Sequence, residues 1–303
     1  MASVNLLDAF GYQWGQNGSI ADIQDTQWKT GWSFIGATPP SVEQFNKWGN
    51  VFDAKANYLY RQLKAVMDQS AVSPGANNDN SLRDAITLTY AKGRLLNVQR
   101  FITSGTYGAS AGTKSAIVEI VGGGGGGGGS GTTNASQVSS GAGGAAGSFV
   151  RHFVGTMPAT AAFTIGAGGA GGAAGATGGA GGTTSILGLT APGGNGGLSV
   201  ASAPPYMLIG GTPGGIGTGG SIMNAQGQAG SAAFALATGA FISGGGGPSI
   251  YGGGGPGLGT STSAGNSALS PGAGGGGGIC GSSTAGQSGG PGAAGSLVVY
   301  EFG

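Results

Sequence analysis

The sequence predicts a mixed fold: an irregular amino-terminal arm (residues 1–40), a trimeric α-helical coiled coil within residues 41–93, and a carboxy-terminal glycine-rich β domain (residues 94–303) with packed polyglycine II helices. Three observations carry that prediction. Charge is confined to the front of the chain: the first hundred residues hold nine of the eleven Lys and Arg and eight of the ten Asp and Glu, while His152 to Tyr300 holds none. Val42, Phe45, Gly49, Phe52, Ala56, Leu59, Leu63 and Val66 keep the alternating 3-4 spacing of a coiled-coil seam. Glycine then recurs at 166, 169, 172, 175, 178 and 181, a strict period of three. A stretch so poor in charge and in large apolar side chains is neither an ordinary globular core nor a charged disordered chain, so its order must come from backbone.

In the arm the large apolar groups are Trp14, Trp28, Trp32 and Phe34. So many aromatics in a short irregular segment call for a neighbour to cover them. Thr38-Pro39-Pro40-Ser41 punctuates the chain, and Ser41 with Gln44 has the form of a capping box, so a helix starts there. Its seam has two readings: an amphipathic helix packed within its own domain, or self-association. Phe45, Phe52 and the leucines suit three strands without fixing the number, and Gly49 and Ala56 weaken the seam. Ser73 to Asn80 reads as a loop, and Ser81 with Asp84 as a second cap opening a short helix to about Tyr90. Leu95 to Ile102 reads as a strand, with Leu96, Val98, Arg100 and Ile102 on one face.

Ser115 to Val121 is a strong strand that runs straight into eight glycines, Gly122 to Gly129. Further strands are expected at Ser148–Val154, Ala161–Ile165, Thr183–Thr190 and Ser296–Phe302. Period three is the repeat of polyproline II geometry. Glycine suits it because any Cβ aimed at an adjacent segment would hold the two backbones apart. Ordering each glycine costs about 1–2 kcal/mol, and an inter-segment hydrogen bond returns only about 0.5–1.5 kcal/mol, so such a lattice must be wide or pinned by strands. The competing reading is a flexible linker. Val at Gly172 or Gly175 should disrupt a lattice more than Val at Ala173 or Thr177.

Motifs for chemistry are lacking. Gly166 to Gly171 fits G-x-G-x-x-G formally, but no acidic ribose ligand follows at the required distance, and no Lys lies beyond Lys114 to serve a P-loop. His152 is the only histidine and Cys280 the only cysteine, which argues against a His-based triad, a multi-His zinc site and a disulfide. Glu119 and Glu301 are the only acids of the glycine-rich part and could form a carboxylate pair only on adjacent strands. No catalytic residue, cofactor or metal is expected. A net charge of +1 without a basic cluster offers nucleic acid nothing; neither a secretory leader nor a membrane span is visible. Candidate binding loops are the interruptions with aromatic or aliphatic content: Leu198 to Ile209 with Pro204, Pro205, Tyr206 and Met207; Ile222 to Ile242 with Phe234 and Phe241; and Pro248 to Tyr251 with Ile250 and Tyr251. Alternatively these side chains plug the edges of the lattice.

Gly31 to Asn46, followed by Tyr58-Leu59-Tyr60-Arg61-Gln62-Leu63, resembles the amino-terminal segment of tailed-bacteriophage tail fibres. Phe101 to Tyr107, Ile117 to Gly129, the Gly-Ala-Gly-Gly-Ala-Gly-Gly tract and the ending Pro291 to Gly303 resemble the glycine-rich tip of such fibres. The resemblance implies a non-catalytic receptor-binding protein of the virion, made in the host cytoplasm. Its arm, with Trp14, Trp28, Trp32 and Phe34, would fasten to a phage tail or baseplate protein. Val42, Phe45, Phe52, Leu59, Leu63 and Val66 would hold a homotrimer, and the tip loops would meet a bacterial polysaccharide, outer-membrane protein or pilus. The rival expectations are a glycine-rich structural matrix protein and an ice-binding polyglycine II protein.

Overall fold

The computed structural model describes residues 18–69, 93–200, 204 and 206–303. The chain divides into two units, Met1–Lys92 and Gly93–Gly303. Trp14, Pro205 and the second capped helix after Ser81 lie outside the described residues, as do the side chains of Phe34, Leu63 and Val66.

In the first unit α1 spans Asp25–Thr30 and leads into a 3-10 turn at Gly31–Ile35. The second helix, α2, runs Val42–Gln69. Its start is fixed by a reciprocal pair: the Gln44 N–H donates to Ser41 Oγ (3.2 Å) and the Ser41 N–H to Gln44 Oε1 (2.9 Å). The chain before α1 lies along α2, where Ala21 N–H donates to the Glu43 carbonyl and Asn46 Nδ2 to that of Ser19.

The expected coiled coil is corrected here: α2 is a single helix and no helical coiled coil is seen. Val42, Phe45, Phe52 and Leu59 stay exposed rather than seated in a facing helix. The aromatics of the stripe meet along their own helix, Phe45 with Trp48 at 5.8 Å and Trp48 with Phe52 at 5.9 Å between ring centroids. Residues three and four apart on one helix are neighbours, so a 3-4 spacing of rings has a partner within the helix itself. Gly49, a seam position with no side chain, is buried without filling a hole.

In the second unit the assigned structure is mostly antiparallel β-sheet, which corrects the expected framework of helices. β1 (Leu95–Phe101), β3 (Ser115–Val121), β5 (Phe149–Val154), β10 (Met223–Ala225) and β14 (Ser296–Phe302) form one sheet in the order β1-β14-β3-β5-β10. β2 (Gly105–Gly108), β6 (Thr160–Thr164), β7 (Thr184–Ile186) and β8 (Leu189–Ala191) form a second in sequence order. Tyr107, Val118, Ile120, Val150, Phe163 and Leu297 belong to the core these sheets share. A smaller core elsewhere gathers Val138, Met207, Ile209, Phe241 and Ile279. It is served by the pair β4 (Ser139–Ser140) and β13 (Ile279–Cys280) and by the three-stranded sheet of β9 (Met207–Ile209), β11 (Ala233–Ala237) and β12 (Ala240–Ile242).

Glycine segments connect the two cores, and their hydrogen bonds repeat every three residues. From the segment that continues β3, the N–H groups of Gly123, Gly126 and Gly129 donate to Gly182, Gly179 and Ala176. Those of Gly124 and Gly127 donate to Ala293 and Gly290, and those of Gly125 and Gly128 to Ala145 and Ala142. Successive residues thus address three different neighbours, as a backbone with three residues per turn requires. A Cβ on Gly126, Gly127 or Gly128 would overlap the carbonyl oxygen of Ala170, Gly276 or Leu198 respectively. At the surface the rule inverts: Ala167, Ala170 and Ala173 in one segment, and Thr177, Ala180 and Thr183 in the next, are exposed. Those methyls end the array, since no further backbone can approach past them.

Because β3 and β14 are continuous with array segments, the array has two ends. The entry end holds the large core and the place where the chain arrives, with Gly93 N–H donating to the Gly303 carbonyl at 2.8 Å. The far end, about 25 Å away at about 3.1 Å per residue, holds the smaller core.

Candidate binding surface at the far end of the glycine array

Strand alternation at the far end gives one sheet two unlike faces. Met207 and Ile209 of β9, Ala233 and Ala235 of β11, and Phe241 of β12 point into the smaller core. Alanine faces inward on the middle strand, where the Phe241 ring takes the room. Leu208, Phe234, Leu236 and Ile242 point out, and Leu208 is 78 % exposed. Phe234 stands opposite Leu208 on one side and Ile242 on the other, so the three form a row across the sheet. Beside them Tyr206 is 88 % exposed, with a backbone φ of 85° that non-glycine residues seldom adopt. Its N–H donates to the Ala235 carbonyl at 2.9 Å, which ties the strained residue to the middle strand. All these residues fall in the span from His152 to Tyr300 that has no acid or strong base.

The unit's two acids sit at the entry end. On the outer face of the five-stranded sheet Arg151 donates through Nε (2.6 Å) and Nη2 to Oε1 of the buried Glu119. The hydroxyls of Tyr251 and Tyr300 each lie 3.5 Å from Glu119 Oε2. Burial, and then the Glu119 charge, push the Tyr251 hydroxyl up to about 12. The hydrogen bond to Glu119 raises Arg151 above its ordinary value. On the opposite, core-facing side Glu301 is fully buried. Its Oε1 accepts from Tyr107 Oη, Gln99 Nε2 (3.0 Å) and Ser110 N–H (3.1 Å). Burial works to raise the Glu301 carboxyl, but its donors, Ser110 and Tyr107 foremost, hold it below the usual range. The two acids therefore occupy opposite faces of one sheet and do not form a pair.

The expected binding residues divide three ways. Tyr206 and Phe234 come together at the far end, and Pro204, close to Tyr206 in sequence, is exposed. Ile250 and Tyr251 belong to the entry end, where Tyr251 covers Glu119. Met207 and Phe241 are core residues, which corrects their reading as contact residues: they fill the space beneath the sheet. Leu208, Leu236 and Ile242 lie within the candidate segments 198–209 and 222–242 without being singled out there, although the period-two patterns Met-Leu-Ile and Ala-Phe-Ala-Leu-Ala carry the signal. In the first unit Trp28, Trp32 and Trp48 line a cleft of about 160 Å³ with Ile23 and Gln27. His152 Nδ1 accepts from the Ser221 N–H (3.1 Å), and buried Cys280 donates to the Ala285 carbonyl (3.1 Å). Among the described residues no group of three His, Cys, Asp or Glu is placed to hold a metal, and no helix is long and apolar enough to cross a membrane.

A protein-family model described as a glycine-rich domain matches residues 102–301, and no curated protein matches the chain. That match takes in both β cores and the whole array between them, and the chain belongs to the glycine-rich domain family.

Proposed function

We propose that this protein is a receptor-binding tail-fibre protein of a tailed bacteriophage, a non-enzymatic adhesin of the virion. One observation carries the reading: a rigid backbone array holds an uncharged, apolar face at the end remote from where the chain enters the unit. A rigid frame lowers the entropy lost on binding, and recognition groups on such frames sit at their ends. The amino-terminal unit, with Trp28 and Trp32, fastens to a tail or baseplate protein, and the far end meets the bacterial surface. Three copies associate. The test is adsorption: purified full-length protein, added to bacteria before phage, should block infection by the phage that carries it. Full infectivity at saturating protein removes the reading.

A second reading has its own observation. Ala167, Ala170, Ala173 and Thr177, Ala180, Thr183 make two exposed rows of small side chains at a repeat of about 9 Å, the kind of regular face that ice binding uses. Thermal hysteresis in the purified protein would favour it over the adhesin.

A further inference from the structure

We infer that the ligand of the far-end sheet is a bacterial surface protein offering a neutral, apolar contact, and not a polysaccharide; the inference rests on the adhesin reading. The outward row and its neighbours are Tyr206, Leu208, Phe234, Leu236 and Ile242. Four of the five have no hydrogen-bonding side chain. A pyranose laid on this face would bury hydroxyls against methyl groups with nothing to replace their water, a loss that burial of its ring faces does not recover. An apolar protein surface carries no such penalty and gains from every ångström of contact. Charge complementarity points the same way. Bacterial polysaccharides rich in phosphate or carboxylate need cationic partners, and the arginines of this unit's sheets, Arg100 and Arg151, are at the entry end, Arg151 committed to Glu119. The platform is also suited to protein contact in form: its side chains stand on paired strands over a packed core, so little side-chain freedom is lost on docking.

The experiment uses full-length protein labelled at its amino terminus and a panel of bacterial strains, read by cell-bound fluorescence. Strains that bind are then treated with a broad-specificity protease or with periodate. Binding should fall at least tenfold after protease and persist after periodate. The double variant Leu208→Asp, Leu236→Asp, both side chains being outward, should lose binding to the same degree while melting within a few degrees of the parent. Ala170→Asp, on the exposed side of the array, should bind as the parent does. Binding that survives protease and disappears with periodate overturns the protein ligand while leaving the adhesin reading standing. Full binding by the double variant overturns the assignment to this face. Failure of the parent to bind any strain overturns the adhesin reading itself, and this inference with it.

Discussion

The two ends of the glycine array are made from opposite materials. At the entry end long strands pair in register, two sheets share a core, and both acids are bound into hydrogen-bond networks, Glu119 with Arg151 and Glu301 with Tyr107, Gln99 and Ser110. At the far end strands of two to five residues cover a small core, no acid or strong base is present, and Tyr206 and aliphatic groups face outward. Buried charge needs dense pairing to be tolerated, so the entry end is specified and fixed. The far end has no such obligations and can vary its outward residues without disturbing the frame. What separates the two is backbone alone, which lets each end be changed without a path of packed side chains to the other.

The largest effect expected is a break in that separating backbone. Gly126→Val places a side chain where the Ala170 carbonyl oxygen already lies, in a region buried on all sides. The loss should exceed about 4 kcal/mol, the exceptional class for a single change, and unfold both ends together. Ala170→Val, which points outward from a neighbouring segment, should shift the melting temperature by no more than a few degrees. Comparable losses at both positions would show that the array is not the separator. Gly175 belongs to neither class: it is exposed with φ +75°, so Val there costs turn strain of about 1–2 kcal/mol and not a lattice clash.

Next in size is an injury to one end alone. Phe241→Ala removes the largest ring of the smaller core and should cost about 3–5 kcal/mol. Amide exchange should quicken around Ile209, Ala235 and Ile279 while β3 and β14 keep their protection. Uniform acceleration through both ends would mean that the unit melts as one block and that the ends are not independent.

Much of this contrast was legible in the sequence. The strands β3, β5, β6 and β14 were evident from β-branched runs, and Ser41 with Gln44 marked the start of α2, because those signals are local. The period of glycine in 166–182 announced a threefold backbone for the same reason. The coiled coil is not found because a 3-4 spacing states which residues share a helix face, not what covers that face; Phe45, Trp48 and Phe52 touch along one helix and remain exposed. The division of Tyr206 and Tyr251 between opposite ends could not be read, since it depends on which of many near-identical glycine segments lie side by side. Sequence alone leaves Met207 and Phe241 open between contact and filler, because aromatic and thioether side chains serve cores and interfaces equally well; both belong to the core.

A smaller effect belongs to Glu301 and appears only in acid. Its folded carboxyl is held below the ordinary value, so its contribution is present above that ordinary value and is lost as pH falls through the lower, folded one. Chemical melts at decreasing pH should show the entry end weakening in that window. Glu301→Gln should flatten the acid limb of the profile while lowering stability near neutrality, because one carboxylate acceptor serving Tyr107, Gln99 and Ser110 is replaced by an amide. An unchanged acid limb in the variant would assign the pH dependence elsewhere.

The smallest effect concerns Tyr251, and it sharpens the comparison by asking whether this residue is part of the entry-end network or a contact residue displaced from the far end. Its hydroxyl is raised to about 12, first by burial and then by the charge of Glu119. The sign follows: between the usual tyrosine value and about 12 the unfolded chain has lost a proton that the folded chain keeps, so stability should fall as pH rises through that range. Tyr251→Phe removes the group that titrates and should soften this alkaline decline. At pH 7 it should cost about 1 kcal/mol or less, since the hydroxyl stands 3.5 Å from Glu119 Oε2, the long limit for a hydrogen bond. Cell binding by Tyr251→Phe should equal that of the parent, whereas Tyr206→Ala should weaken it. Lost binding in Tyr251→Phe with an unchanged alkaline melt would put Tyr251 among the contacts and erase the functional difference between the two ends.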